Sequence, residues 1–404
     1  MDPAVGAAAS AEGRSSALAP LYAANLVCSM GMTGFLVVTG PLADAIGLAA
    51  WQIALSAAAG GVGWVVAAPF WGWAADRLGR KRVLTTGLAG FAAGYALLCL
   101  AAHAGIAWGV APILVLTAFI ATRFFAGLSY SALPAAGAAL IADRYAPEAR
   151  AGAMGRLGAS QSAGLLIGPA LVGLVAGTSP TAPLLVLALA PAPALLFLVL
   201  RLPADGPQVQ GRPEPLSLGD PRLLRPVLAA FATITAVAMA QIVVSFIALD
   251  RLDLPPQQAT RTAASALFAV GIALIAAQLV ISRLGWSPER LMAAGAVVAA
   301  LGLSSAIFAT SGVALVLAYA AAGVGVGWAF PSISAAAANA VEATEQGRAA
   351  GSVSTAMGIG AMIGPLLGGV LYDVGEALPF AAAAVAMMVV AGAAATSARG
   401  DAPR

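Results

Sequence analysis

Gly72-Trp73-Ala74-Ala75-Asp76-Arg77-Leu78-Gly79-Arg80-Lys81-Arg82 places four basic side chains and one carboxylate between two long apolar runs. Gly72 has no side chain and lets a second helix approach closely. Asp76 can accept charge-assisted hydrogen bonds from Arg77 or Arg80, or face a helix N-terminus elsewhere. Gly79 permits a tight turn. Gly72, Asp76, Arg77, Gly79 and Arg80 together read as a charged gate at one end of a helical bundle, closed in one state and broken in another. The plainer reading is a topology signal, since four basic residues hold any loop on the inner side of a membrane.

The runs on either side decide what the loop joins. The chain has 404 residues, 61% hydrophobic and 9% charged, against about 25% charged in an average soluble protein. Only a bilayer accommodates that much apolar surface, and helices satisfy their own backbone there. A crossing needs about 20 apolar residues. Such runs are expected near 20–42, 52–74, 83–102, 111–138, 153–177, 182–200, 226–248, 262–282, 291–310, 313–338, 350–371 and 379–396. The fold class is therefore an all-α membrane protein with twelve transmembrane helices. Residues 1–19 and 397–404 read as tails, 20–200 and 226–396 as two six-helix bundles, and 201–225 as a proline-rich linker.

Charge sets the orientation. With the N-terminus cytoplasmic, 17 of the 20 Lys and Arg residues fall on inner loops, tails or adjoining helix ends. Arg251 and Arg261 fall outside, and Arg123 stays within a span. The inner, plasma membrane is the expected location, with both termini cytoplasmic. The first nineteen residues lack a basic segment followed by a short apolar core, so no cleaved signal peptide is expected.

Composition also excludes function classes. The arginines are scattered and Lys81 is the one lysine, so no nucleic-acid patch forms. Cys28 and Cys99 sit inside apolar runs as buried small hydrophobes, and one histidine, His103, leaves no cluster for metal or for Ser/His chemistry. No cofactor is expected, and an enzyme or sensor is the remote alternative.

A shift of 206 residues overlays the two halves. Asp44 falls on Asp250, Gln52 on Gln258 and Arg77-Leu78-Gly79 on Arg283-Leu284-Gly285. Further on, Gly164-x-x-x-Gly168-Pro169 matches Gly360-x-x-x-Gly364-Pro365. Two parallel six-helix halves are the architecture of rocker-switch transporters, with a site near mid-membrane.

The 72–82 segment resembles the signature that the major facilitator superfamily carries between its second and third helices, and every signature position is filled. The second copy is degraded, with Gln278 and Ser282 at the glycine and aspartate positions. Arg123-x-x-x-Gly127 resembles the fourth-helix arginine motif, which family members often link to proton coupling. An arginine inside a span is itself a functional candidate, because the bare charge is costly there. Gly164, Gly168 and Pro169 resemble the fifth-helix antiport motif of drug:proton antiporters. Small residues at that spacing also pack helices backbone to backbone. The full Gly-Pro-x-x-Gly-Gly ending occurs at Gly364-Pro365 instead.

The resemblance spans Pro20 to about Thr396. It implies alternating access and, for the antiporter branch, proton-driven export by a monomer. The chain departs from that branch in the first span, which has Asn25, Ser29 and Thr33 but no carboxylate. Proton coupling then falls to Asp44 at the outer end, to Asp76 or Asp143 at the inner end, or to Arg123 with a partner, and Asp44 and Arg123 are the leading candidates. Polar candidates for a cavity are Asn25, Thr33, Tyr130, Gln161, Gln241, Gln278 and Tyr319. One arginine and no deep carboxylate favour neutral or anionic substrates, drugs or a carboxylate metabolite such as a siderophore. Import or facilitated passage of a small metabolite is the alternative.

Overall fold

A computed structural model describes residues 18–145, 147–177, 179, 181–203, 220–342 and 345–400. Residues 1–17 of the expected N-terminal tail, 401–404 of the C-terminal tail and 204–219 of the linker lie outside the described residues. All regular structure among the described residues is helical, and twelve helices are long and apolar enough to cross a membrane. They are α1 Ala19–Ile46, α2 Ala50–Leu78, α3 Arg80–Trp108, α4 Pro112–Arg144, α5 Pro147–Val175 and α6 Ala182–Arg201. The second set is α7 Leu224–Arg251, α8 Pro256–Leu284, α9 Pro288–Ile307, α10 Gly312–Asn339, α11 Gln346–Val374 and α12 Leu378–Gly400.

The order matches the expectation, but several helices outrun the apolar runs. α2 reaches Leu78 rather than 74, and α4 reaches Arg144 rather than 138. Polar and basic residues continue a helix once it leaves the hydrocarbon, so hydropathy finds the crossing and not the cap.

Local chemistry explains the breaks. Prolines occupy the first turns of α1, α4, α6, α8 and α9, where the missing N–H costs nothing. Gly79 has φ +88° and turns the chain directly from α2 into α3. α4 is interrupted at Ser131, since Pro134 cannot donate to the Tyr130 carbonyl one turn earlier. α7 closes on a π-helical turn, Ile247–Arg251. Arg251 donates from that turn to the carbonyls of Ala306, Ile307 and Ala309. A cation thus meets the C-terminal end of α9, where the helix dipole favours it.

The halves, α1–α6 and α7–α12, meet along α1 with α7, α2 with α11, and α5 with α8. Their packing is concentrated at the end away from the 72–82 loop. A Cβ on Gly40 would strike the Ser245 backbone, one on Gly369 the Ala50 carbonyl and Trp51, and one on Gly173 the Ala264 methyl. At the basic end, a Cβ on Gly152, Gly155, Gly158 or Gly351 would meet nothing within 4 Å. The bundle is closed at one end and open at the other.

Candidate functional site

At the basic end, Arg80 is 1% exposed. Its guanidinium lies 3.2 Å from Asp76 and 2.9 Å from Asp143 of α4, and it donates to the Ala75 carbonyl at 2.6 Å. Two carboxylates and a carbonyl satisfy a buried cation that would otherwise be costly. Arg77 takes a different partner and stacks 4.6 Å above the Trp73 ring. The sequence pointed to Asp76 with Arg77 or Arg80. The structure selects Arg80, adds Asp143, and ties α2, α3 and α4 of one half together. Asp143 was a bare carboxylate 63 residues from Arg80, and no local spacing signals such a pair.

The second half has its own ionic cluster outside the spans. Arg222 bridges Asp220 and Glu345 at 2.8 Å each, and Glu345 also holds Arg348 at 3.2 Å. Hydrogen bonds from Arg222 hold both carboxyls below their ordinary values.

The closed end is held by polar contacts between the halves. The Gly40 N–H donates to the Ser245 hydroxyl at 2.9 Å, and the Thr39 and Ser245 hydroxyls lie 2.9 Å apart. The Trp51 N–H donates to the Asp373 carboxylate at 3.0 Å, and Arg261 donates to the Ala176 carbonyl at 3.2 Å. These bonds between the halves lie at the end away from the 72–82 loop. Asp44 stands here too, in the last turn of α1. Asp250 accepts from the Tyr372 hydroxyl at 2.8 Å.

In the first half, Arg123 is 2% exposed and donates to the Tyr95 hydroxyl at 2.6 Å. It stacks 4.4 Å from the Phe35 ring centre, and its Nε has no partner. Beside it, Tyr130 shares a 3.1 Å hydrogen bond with Ser29 and accepts from Gln161 at 3.4 Å. Asn25 donates to the Leu157 carbonyl and to Ser160 of α5. Asn25, Tyr130 and Gln161 therefore form one network between α1, α4 and α5.

The glycine ladder divides by role. Gly164 and Gly168 press α5 onto the Leu26 and Met30 carbonyls of α1. Gly364 presses α11 onto Thr235 and Ala238 of α7. Those contacts lie inside the halves, whereas Gly173 and Gly369 serve the joint between them.

A cavity of about 220 Å³ opens in the second half. All but three of its lining residues (Thr33, Leu165 and Pro169) come from α7–α12. Thr33, Gln241 and Tyr319 line it, while Asn25, Tyr130, Gln161, Gln278 and Arg123 do not. The Arg123 side chain is committed to Phe35 and Tyr95 inside the first half. The remaining wall is apolar (Ile234, Val270 and Phe330 among others), and sequence could not separate these residues from ordinary membrane-core side chains.

The sequence model of the Major Facilitator Superfamily matches residues 21–287 and 227–403. This chain belongs to the Major Facilitator Superfamily. Solved members of similar fold include a peptide transporter POT in complex with sulfate, with TM-score 0.73, 14% identity and coverage of 95% of this chain and 94% of that one. A bacterial homologue of the human lysosomal transporter Spinster, inward-facing and occupied, gives TM-score 0.72, 16% identity and coverage of 96% and 97%. Among curated superfamily relatives, a triacylglyceride transporter of Mycolicibacterium smegmatis is 34% identical over 108 residues, 27% of this chain and 17% of that protein. The tetracycline resistance protein, class D, of Salmonella ordonez is 37% identical over 122 residues, 30% of this chain and 28% of that protein. The chain thus matches well under a third of either relative's length. Its twelve membrane-length helices make it a multi-pass membrane protein of that superfamily.

Proposed function

We propose that this superfamily member exports small molecules from the cytoplasm in exchange for protons, as a monomer in the inner membrane. The observation that carries the reading is the one-sided closure of the two halves. The halves touch through Gly40–Ser245, Gly173–Ala264 and Gly369–Ala50, while a Cβ on Gly152, Gly155, Gly158 or Gly351 toward the basic end would meet nothing within 4 Å. The basic loops belong on the cytoplasmic side by the positive-inside rule, so this is an inward-facing state ready to load from the cytoplasm. Rocking the halves would exchange the open and closed ends.

Two groups support proton exchange. Asp44, at the closed outer end, would take up a proton from outside. Arg123 fixes a positive charge in the first half, and no carboxylate among the described residues lies within salt-bridge distance of it. The gate residues Gly72, Asp76, Arg77, Gly79 and Arg80 would organise the cytoplasmic end as the halves rock.

The test uses liposomes carrying an internal pH dye, the purified protein and a panel of uncharged, anionic and cationic compounds. Substrate-dependent proton flux is expected, and loss of flux in Asp44→Asn or Arg123→Ala identifies the coupling residue. Substrate movement without proton flux would overturn antiport and leave a facilitator.

A further inference from the structure

The cavity of the second half has a polarity that names its occupant. It sits at mid-span, between Ile234–Gln241 of α7, Leu267–Leu274 of α8 and Tyr319–Phe330 of α10. No charged residue lines it. Two of its three polar side chains have spent their donors: Tyr319 donates to the Ala240 carbonyl, and Thr33 donates to the Ser29 carbonyl at 3.0 Å. Gln241 is different. Its carboxamide has no hydrogen-bond partner among the described residues, although it could both donate and accept. Gln241 is half-buried on the cavity wall, so its carboxamide is free to pair with what enters the cavity. The volume is below the roughly 300–1,000 Å³ of pockets that hold drug-sized ligands, so the occupant is compact.

We propose that this cavity is the substrate pocket, and that it takes a compact, uncharged, mostly apolar molecule whose single polar group pairs with Gln241. The inference rests on the transport reading and names its substrate class. An anion would lose its hydration with no cation on the wall to replace it, because Arg123 is turned into the first half. The wall contributed by the first half is Thr33 of α1 with Leu165 and Pro169 of α5, and the seating of Gly164 and Gly168 on α1 holds α5 in place. Moving α5 with its half would therefore uncover or cover the ligand.

Two probes share one skeleton and differ in charge: N-phenyl-1-naphthylamine, uncharged with one N–H, and 8-anilinonaphthalene-1-sulfonate. Purified protein is melted with increasing amounts of each, followed by circular dichroism. A saturable rise in melting temperature is expected with the amine and none with the sulfonate. Gln241→Leu keeps the volume and removes the amide, and should raise the amine concentration needed about fivefold, the worth of one hydrogen bond. Val270→Trp fills the space and should abolish the rise; if that variant does not fold, Gln241→Leu decides. No rise with the amine, an equal rise with the sulfonate, or an unchanged response in Gln241→Leu overturns the assignment. Because binding is read without a second compartment, a protein that binds the amine but moves no protons sinks the antiport reading and leaves the pocket standing.

Discussion

Asp373, at the end of α11, caps the N-terminus of α2: its carboxylate accepts the Trp51 N–H at 3.0 Å. The capping group and the capped helix belong to different halves, so the bond exists only while the outer end is closed. An anion at a helix N-terminus also complements the helix dipole. Arg261 is its counterpart in opposite charge, a cation on the last carbonyls of α5. Asp373→Ala should cost closure about 1 kcal/mol, a shift of about fivefold toward the outward-open population. Spin labels at Ala45 and Leu252 would read it as a growing long-distance component, and an unchanged distribution would contradict the capping role.

The Arg80 cluster is a structural prediction. Asp143→Ala leaves a buried guanidinium with half its charge partners, and breaking a buried pair costs about 3–5 kcal/mol. A large drop in melting temperature is expected for Asp143→Ala and for Arg80→Ala. The double variant should be less harmed than the sum of the two, because the orphaned charge is gone. Strict additivity would show that the two do not interact.

Gly127 tests the packing of α2 on α4. A Cβ there would run into the Gly60 carbonyl, and Gly63 meets the Phe124 carbonyl one turn away. Gly127→Ala must spread the helices and should cost about 1–3 kcal/mol, with Arg123 displaced because its guanidinium also lies against Gly60. Thermal unfolding reads the first effect and proton flux the second. A variant with wild-type values in both would show that the helices can separate freely.

Acid should loosen the ionic cluster that Arg222 forms with Asp220 and Glu345. The Asp220 and Glu345 carboxyls are held below their ordinary 3.8 and 4.5 by hydrogen bonds from Arg222. A lowered folded-state pKa contributes stability that is complete above the unfolded value and is lost as pH falls through the folded one. Hydrogen exchange around Glu345 should therefore rise on acidification below about pH 4, near these ordinary carboxyl values. Arg222→Gln should show the faster exchange already at neutral pH, with little further change on acidification.

The helix order was legible because bilayer physics writes it into composition: twelve apolar runs, charged punctuation and a one-sided bias of Arg are properties of the chain read in line. The 72–82 segment was equally legible, since Gly79 and Arg80 act within a turn or two of their neighbours. Distance along the chain marks where this stops. Arg80 with Asp143 and Asp373 with Trp51 join positions 63 and 322 residues apart, and each carboxylate looks alone in sequence. Arg123 was found as an intramembrane charge, but its direction depends on Phe35 and Tyr95 arriving from α1 and α3. Gln241 and Gln161 had equal standing as polar residues in apolar helices. Packing pairs Gln161 with Tyr130 and leaves Gln241 unpaired on a cavity wall. Composition and spacing determined that the chain crosses the membrane twelve times in two related halves. Only the tertiary structure decided which end is closed and which polar groups remain free, because both depend on contacts between helices that no local pattern encodes.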